Sequence, residues 1–243
     1  MLTLRKADDR GTSAFAWLDS RHSFSFGRYQ DPEHTGFGPL LVLNDDRVTA
    51  GGGFSEHGHD NMEILSWVMD GVLEHRDSTG SHGILRHGTL QRMSAGTGIR
   101  HSEFNHSKSE PVRFLQIWIV PDKAGHDPRY DDRHYDPESF RNQLRLIAAP
   151  ATEVDPAEPG TEQAEALSVH QNARVLVTRL DAGKSVTYAI GQGRRVWVQV
   201  ALGTGTVNGT EVSEGDGVAL TGESLLDLST SDGAEFLVFD IAE

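Results

Sequence analysis

Two short pairs of side chains, His57-Gly58-His59 and His101-Ser102-Glu103, constrain this chain more than any other feature. In a β-strand the side chains at i and i+2 point to the same face, so each pair sets two metal-ligating groups side by side when its segment is extended. If the two strands lie next to each other, three imidazoles and one carboxylate converge on one point. That nitrogen and oxygen set suits a divalent transition metal that keeps coordination positions open for a substrate.

The rest of the chain is written for strands. Its 26 glycines punctuate short runs rich in Val, Ile, Leu and Trp, such as Arg113–Val120, Val175–Leu180, Val196–Leu202 and Glu235–Ile241. Regularly spaced short runs of this kind predict an all-β sandwich or barrel. One short helix is expected over Asp136–Leu144, capped by Asp136 with Pro137 at its first position. From Ala148 to Ala166 prolines, acids and alanines replace the apolar pattern, which reads as an exposed connection. It would separate an N-terminal barrel over 1–147 from a C-terminal one over 167–243, with N-terminal residues packing onto the latter. The second half repeats the turn grammar of the first: Ala201–Asn208 echoes Met69–Glu74, and Ser213–Leu220 echoes Arg86–Gln91. A weak internal repeat of this kind points to two similar barrels in tandem.

Chemistry is concentrated in the first half. Of the 12 histidines only His170 lies beyond residue 135, and the strand-like Gly183–Ala189 carries no His-x-His. A metal is therefore expected in the first barrel alone. The chain has no cysteine, which removes disulfides, thiolate metal sites and iron–sulfur clusters and fits a reducing cytosol. Neither the N-terminal MLTLRKADDRG nor any later stretch approaches the ~20 apolar residues of a membrane span. A net charge of −14 would repel a phosphate backbone. A soluble cytoplasmic protein with no membrane and no direct nucleic-acid partner is expected.

From Gly51 the chain follows the cupin pattern G-x5-H-x-H-x3-E through His57, His59 and Glu63, with Gly71 one residue late and Ser94 where the second cupin motif usually has proline. The ten residues Ser94–Glu103 (SAGTGIRHSE), with Gly36–Asn44, Ser23–Phe26, Asp31-Pro32, Leu73–Ser78, Gln116–Trp118 and Arg194–Gln199, resemble the pirin family of the cupin superfamily. The likeness spans the whole chain and is strongest to bacterial members of the quercetinase kind. It implies a bicupin of two tandem jelly-roll barrels. Periodicity alone does not choose between Glu63 and Glu103, but the resemblance implies the ligands His57, His59, His101 and Glu103. Glu63 is then expected to be structural or to orient a ligand imidazole.

The remaining histidines carry weaker expectations. His75 should stand at a strand end facing solvent or Asp77, and His82, His87 and His106 in exposed loops. Gln116 is a candidate for the pocket, while Met62 and Met93 should pack in the core. Ligand type does not discriminate among Fe(II), Cu, Ni, Mn, Co and Zn, and Fe(II) is the expected ion. The resemblance implies a metal-dependent dioxygenase that opens the central ring of a flavonol such as quercetin. Glu103 would accept a phenolic proton, with the aromatic substrate and dioxygen as partners. The alternative it carries is a redox- or metal-sensing regulator of a transcription factor or metabolic enzyme.

Overall fold

The computed structural model describes every residue except Pro156 and Pro159. In chain order the strands begin with β1 (Leu2–Arg5), β2 (Gly11–Phe15), β3 (Leu18–His22), β4 (Leu40–Val48), β5 (Gly53–His59), β6 (Glu63–Asp70) and β7 (Val72–Asp77). Next come β8 (His82–Arg86), β9 (Thr89–Ser94), β10 (Ile99–Asn105), β11 (Val112–Ile119), β12 (Arg129–His134), β13 (Arg145–Pro150) and β14 (Leu167–Val169). The last are β15 (Ala173–Leu180), β16 (Ser185–Ala189), β17 (Arg194–Val207), β18 (Thr210–Ser213), β19 (Gly217–Thr221), β20 (Leu225–Ser229) and β21 (Ala234–Ala242). No helix among the described residues is long and apolar enough to cross a membrane.

The chain divides into two compact units, and the division differs from the expected boundaries. The histidine-bearing unit comprises Gly11–Tyr135 and Val169–Gln171; the second comprises Met1–Arg10, Asp136–Ser168 and Asn172–Glu243. Residues 148–166 were expected to be an exposed connection, yet Ala148 and Ala149 are fully buried in β13, which pairs with β15. Small apolar side chains such as alanine fit a close-packed strand as readily as a linker, so composition misled there. Beyond it lie two single helical turns, Ala151–Val154 and Glu162–Glu165, the second capped by the Thr161 hydroxyl. The helix expected over Asp136–Leu144 is a 3₁₀ turn over Pro137–Phe140; Asp136 does cap it, accepting from the Glu138 amide. It stops at Arg141, whose backbone is already extended (ψ 119°), one residue before Asn142 takes a positive φ of 55°.

In the histidine-bearing unit a seven-stranded sheet, β12-β9-β6-β11-β4-β3-β2, accompanies a four-stranded sheet, β5-β10-β7-β8. Alternation does the sorting: β10 buries every second residue, so one face turns to the core. One apolar cluster joins Leu18, Val48, Val68 and Phe114 of the large sheet to Leu73 and Leu85 of the small one. A second joins Ile64 and Met93 to Ile99. Between them runs one rung of polar side chains. His22, Asn44, Gln116, Ser66 and Gln91 are register partners across five adjacent strands, and each is buried. On β6 the order Ile64, Ser66, Val68 shows how the rung separates the clusters.

The second unit repeats the grammar with another filling. β6 passes to β7 through Gly71 (φ 76°), and β17 bends at Gly203 (φ 77°). At both, a side chain would strike a backbone carbonyl, that of Pro111 and that of Gly233 respectively. The interior holds Val196, Val198, Val200, Leu226, Leu228, Phe236 and Val238. Aliphatic and aromatic groups thus occupy this core. Phe236 is fully buried within it. Replacing Phe236 with Ala should cost about 3–5 kcal/mol through lost transfer energy and a residual cavity. Urea denaturation will check this, and a loss below ~1 kcal/mol would mean the core is not packed as described.

Candidate metal centre

β5 and β10 are antiparallel neighbours, with His101 opposite His57 and Ile99 opposite His59. The two motif strands therefore do lie side by side. A register shift between His101 and Glu103 leaves four residues of β5, Phe54 to His57, facing three of β10. That bulge puts Ser55 and Glu56 both on the exposed side and returns His57 inward. On its other edge β10 pairs regularly with β7, setting His75 opposite Glu103 and Asp77 opposite His101.

Three imidazoles converge from this arrangement. Ring centroids are 4.8 Å apart for His57 and His59, 4.4 Å for His57 and His101, and 5.0 Å for His59 and His101. The His57 and His101 Nε2 atoms are 3.1 Å apart. His57 Nδ1 lies 2.8 Å from the Ser55 carbonyl, an acceptor only, so the proton sits on Nδ1 and the Nε2 lone pair faces the other rings. Burial pushes His59 down to about 4, with His57 adding to the effect. Burial likewise takes His101 to about 4, against the opposing pull of Glu103. Three imidazoles gathered at this range, with burial keeping His59 and His101 neutral, make a donor set that fits a divalent ion.

Glu103 is buried and anchored in the polar rung. Its Oε1 accepts from Gln91 Nε2 at 3.0 Å and lies 3.1 Å from the Ser66 hydroxyl, and its Oε2 accepts from Gln116 Nε2 at 2.7 Å. Burial by itself would raise this carboxyl, but His101, His75 and the two amide donors outweigh it and hold it below the ordinary glutamate value. His57, His59 and His101 form one group whose ligand atoms lie within 4.8 Å of one another; His75, His101 and Glu103 form another. His101 belongs to both, so it links the three-histidine cluster to the carboxylate.

His75 is the residue the sequence placed least well. Far from facing solvent, it is fully buried, stacked on Tyr130 at 4.4 Å and 5.3 Å from the His101 ring. The expected Asp77 contact is present, at 3.1 Å from His75 Nε2. Gly83 makes the slot: it pairs with His75 across β7 and β8, and any side chain there would collide with the Tyr130 hydroxyl. The missed signal was phase, since His75 and Asp77 alternate as the two motif pairs do. His82 and His106 are exposed as expected and share Glu74.

Glu63 orients an imidazole, but that of His170. The Asp60–Met62 turn, with Asn61 at φ 46°, separates β5 from β6, so Glu63 starts a strand in the other sheet and loses its phase with His59. Its Oε2 accepts from Ser94 at 2.8 Å, and its Oε1 lies 3.0 Å from His170 Nδ1. His170 also stacks on His126 at 3.7 Å.

A cavity of about 500 Å³ opens beside the centre, lined by His57, Glu103, Gln116, Trp118, Phe26 and Phe54, among others. Gln116 thus holds the carboxylate and faces the cavity at once. Its wall also includes Ser20, His22, Asn44 and Asp46, which the sequence reading did not single out. Ser20-x-His22 and Asn44-x-Asp46 have the same alternate spacing as the two motif pairs. His59 borders a more open depression of about 330 Å³ beside Gly58, Gly98 and Ile99.

Known proteins match the chain along its length. The Pirin family model covers residues 3–119, and that of the quercetinase C-terminal cupin domain covers 159–241. The quercetin 2,3-dioxygenase of Escherichia coli K12 is 41% identical over 241 residues, 99% of each chain. A pirin-like protein of Caulobacter vibrioides is 35% identical over 242 residues, 100% of each. Among solved structures, the bacterial pirin YhhW of Escherichia coli in complex with nickel(II) has a TM-score of 0.90 at 39% identity, covering 100% of this chain and 99% of that one. With one cupin-type domain matched in each half and relatives that align end to end, this chain belongs to the pirin family.

Proposed function

We propose that this protein is a metal-dependent dioxygenase that opens the central ring of a flavonol such as quercetin, using His57, His59, His101 and Glu103 to hold one divalent ion, with Fe(II) expected. The observation that carries the reading is the convergence of three imidazoles beside a buried, hydrogen-bonded carboxylate on the wall of a cavity of about 500 Å³. That volume lies within the usual range for small-molecule sites. Kinship with proteins named quercetin 2,3-dioxygenase supports the substrate class. His75 is the competing ligand: Asp77 holds its Nε2, while its Nδ1 is buried without a partner, so the position of the bound ion decides between the two groups.

A bound ion would supply a Lewis acid that lowers the pKa of a coordinated phenol and brings substrate and dioxygen together. The chain's own groups do the rest. His57 is oriented by Ser55, and Glu103 is oriented by Gln91, Ser66 and Gln116. Glu103 lies where it can take the phenolic proton, and a carboxylate held below its ordinary pKa accepts one only from a strongly acidified phenol. Phe26, Phe54 and Trp118 give the aromatic rings an apolar wall. The regulatory alternative has no comparable feature of the site behind it.

Protein purified without chelators should carry metal and consume oxygen when given quercetin, with iron, copper, nickel and manganese loaded in turn. His59→Ala should retain roughly a tenth or less of the metal and lose oxygen uptake in step. Full metal content in H59A, or no uptake with any ion, contradicts the proposal.

Acid sensitivity of the metal-free protein follows from the same site. Burial holds His59 and His101 down to about 4 in the fold, below the ordinary histidine value of 6.5. As pH falls through that window the unfolded chain binds protons that the fold refuses. The penalty is absent above 6.5, grows as pH falls and is complete by about 4. Urea midpoints of metal-free protein should fall across this window, and less steeply in His59→Gln. An equal fall in both would count against buried neutral imidazoles.

A further inference from the structure

The polar rung reaches past Glu103 into a part of the cavity wall that the proposed chemistry leaves unused. On β4, Asn44 and Asp46 are each 2% exposed, and both line the cavity. Standing at i and i+2, they project from the same face about 7 Å apart along the strand. Their partners account for only half of their hydrogen-bonding capacity. His22 donates from Nδ1 to Asn44 Oδ1 at 2.8 Å, which leaves the Asn44 amide hydrogens without a protein acceptor. Ser20 donates to Asp46 Oδ1, which leaves Asp46 Oδ2 without a partner. Neither atom is sealed inside protein, since neither is among the fully enclosed unpartnered groups.

His22 itself is satisfied at both nitrogens, because Ser13 Oγ lies 2.8 Å from its Nε2. It serves as a strut that fixes Asn44. Buried polar groups are ordinarily paired, and two that face a cavity while unpaired mark a place for a ligand's polar atoms. Asn44 is the register partner of Gln116, whose amide holds Glu103. The pair therefore begins one strand spacing, about 5 Å, beyond the carboxylate's support, roughly the width of an aromatic ring.

From this geometry we infer that Asn44 and Asp46 form a second polar subsite, which selects aromatic substrates bearing ring hydroxyls beyond those engaged at the metal. The inference rests on the flavonol reading of the site and specifies which flavonols it prefers. Asn44 Nδ2 donates to a hydroxyl oxygen, and Asp46 Oδ2 exchanges a hydrogen bond with a hydroxyl. Burial, opposed by the Ser20 bond and reinforced by Asp45 and Glu103, pushes Asp46 up to about 7. Near neutral pH it can thus donate or accept, as a hydroxylated ring requires. Phe26, Phe54 and Trp118 bracket the ring itself.

The test is binding rather than turnover, measured anaerobically by fluorescence quenching on the metal-loaded protein. Two probes share the hydroxy-ketone unit that would face the metal: quercetin, and 3-hydroxyflavone, which has no other ring hydroxyl. Wild type should prefer quercetin by about tenfold, since an unmade hydrogen bond leaves buried groups unpaired. Asp46→Ala and Asn44→Ala should each reduce that preference to within about threefold, while Asp46→Asn, which keeps shape and a polar atom, retains part of it. Metal content and urea midpoint check that each variant is folded, and D46N serves where D46A is not. Equal binding of both probes by wild type, or an unchanged preference in all three variants, overturns the subsite while leaving the flavonol reading intact. Weakening of both probes by the same factor also overturns it, because the residues would then be structural. Failure of wild type to bind either probe removes the flavonol reading and this inference with it.

Discussion

A carboxylate buried inside a β-barrel is the constraint on which the rest of this protein turns. Glu103 cannot stay ionised there without donors, because an unpaired charge in a low-dielectric interior costs several kcal/mol or more. Gln91 and Gln116 supply them from the opposite sheet, and Ser66, on the strand between, ties the Gln116 amide oxygen in place. The rung of polar residues interrupts two apolar clusters, and the clusters hold it in register. The carboxylate then sits beside imidazoles that burial keeps neutral, an arrangement completed by a positive ion. Packing, protonation state and metal affinity therefore share one cause.

The second unit shows what the same architecture becomes without that demand. Gly71 and Gly203 turn the chain alike, each against a backbone carbonyl that leaves no room for a side chain. The strands that follow carry chemistry in one case and Val, Leu and Phe in the other. Turn residues and strand spacing thus specify the fold, while the inward face of a few strands specifies the site. The echo of Met69–Glu74 in Ala201–Asn208 is readable because glycine positions answer to backbone geometry, which both units share.

Sequence alone carried the strand identity of both motif pairs, because alternation at i and i+2 is a local property; the pairing of β5 with β10 is a long-range contact that it could state only as a condition. It did not carry what depends on where a strand ends. Glu63 looked in phase with His59 until the turn at Asn61 moved it to another sheet. His75 looked like a strand-end residue because nothing local signals that Gly83, opposite it, opens a slot for Tyr130. Ala148 and Ala149 looked like linker because small residues are ambiguous between a tight core and an exposed chain. Asn44 and Asp46 lay hidden within LLVLNDDRV, where the neighbouring Asp45, committed to Arg113, disguises which acids face inward.

The most direct test is where a bound ion sits, since His101 belongs to two overlapping groups of candidate ligands. Anomalous diffraction from crystals of the metal-loaded protein, collected at the absorption edge of the ion, reads this in one measurement. A single peak bonded to His57, His59, His101 and Glu103 is the predicted result. A peak held by His75 with His101 and Glu103, or none within bonding distance of His57 and His59, would contradict the account.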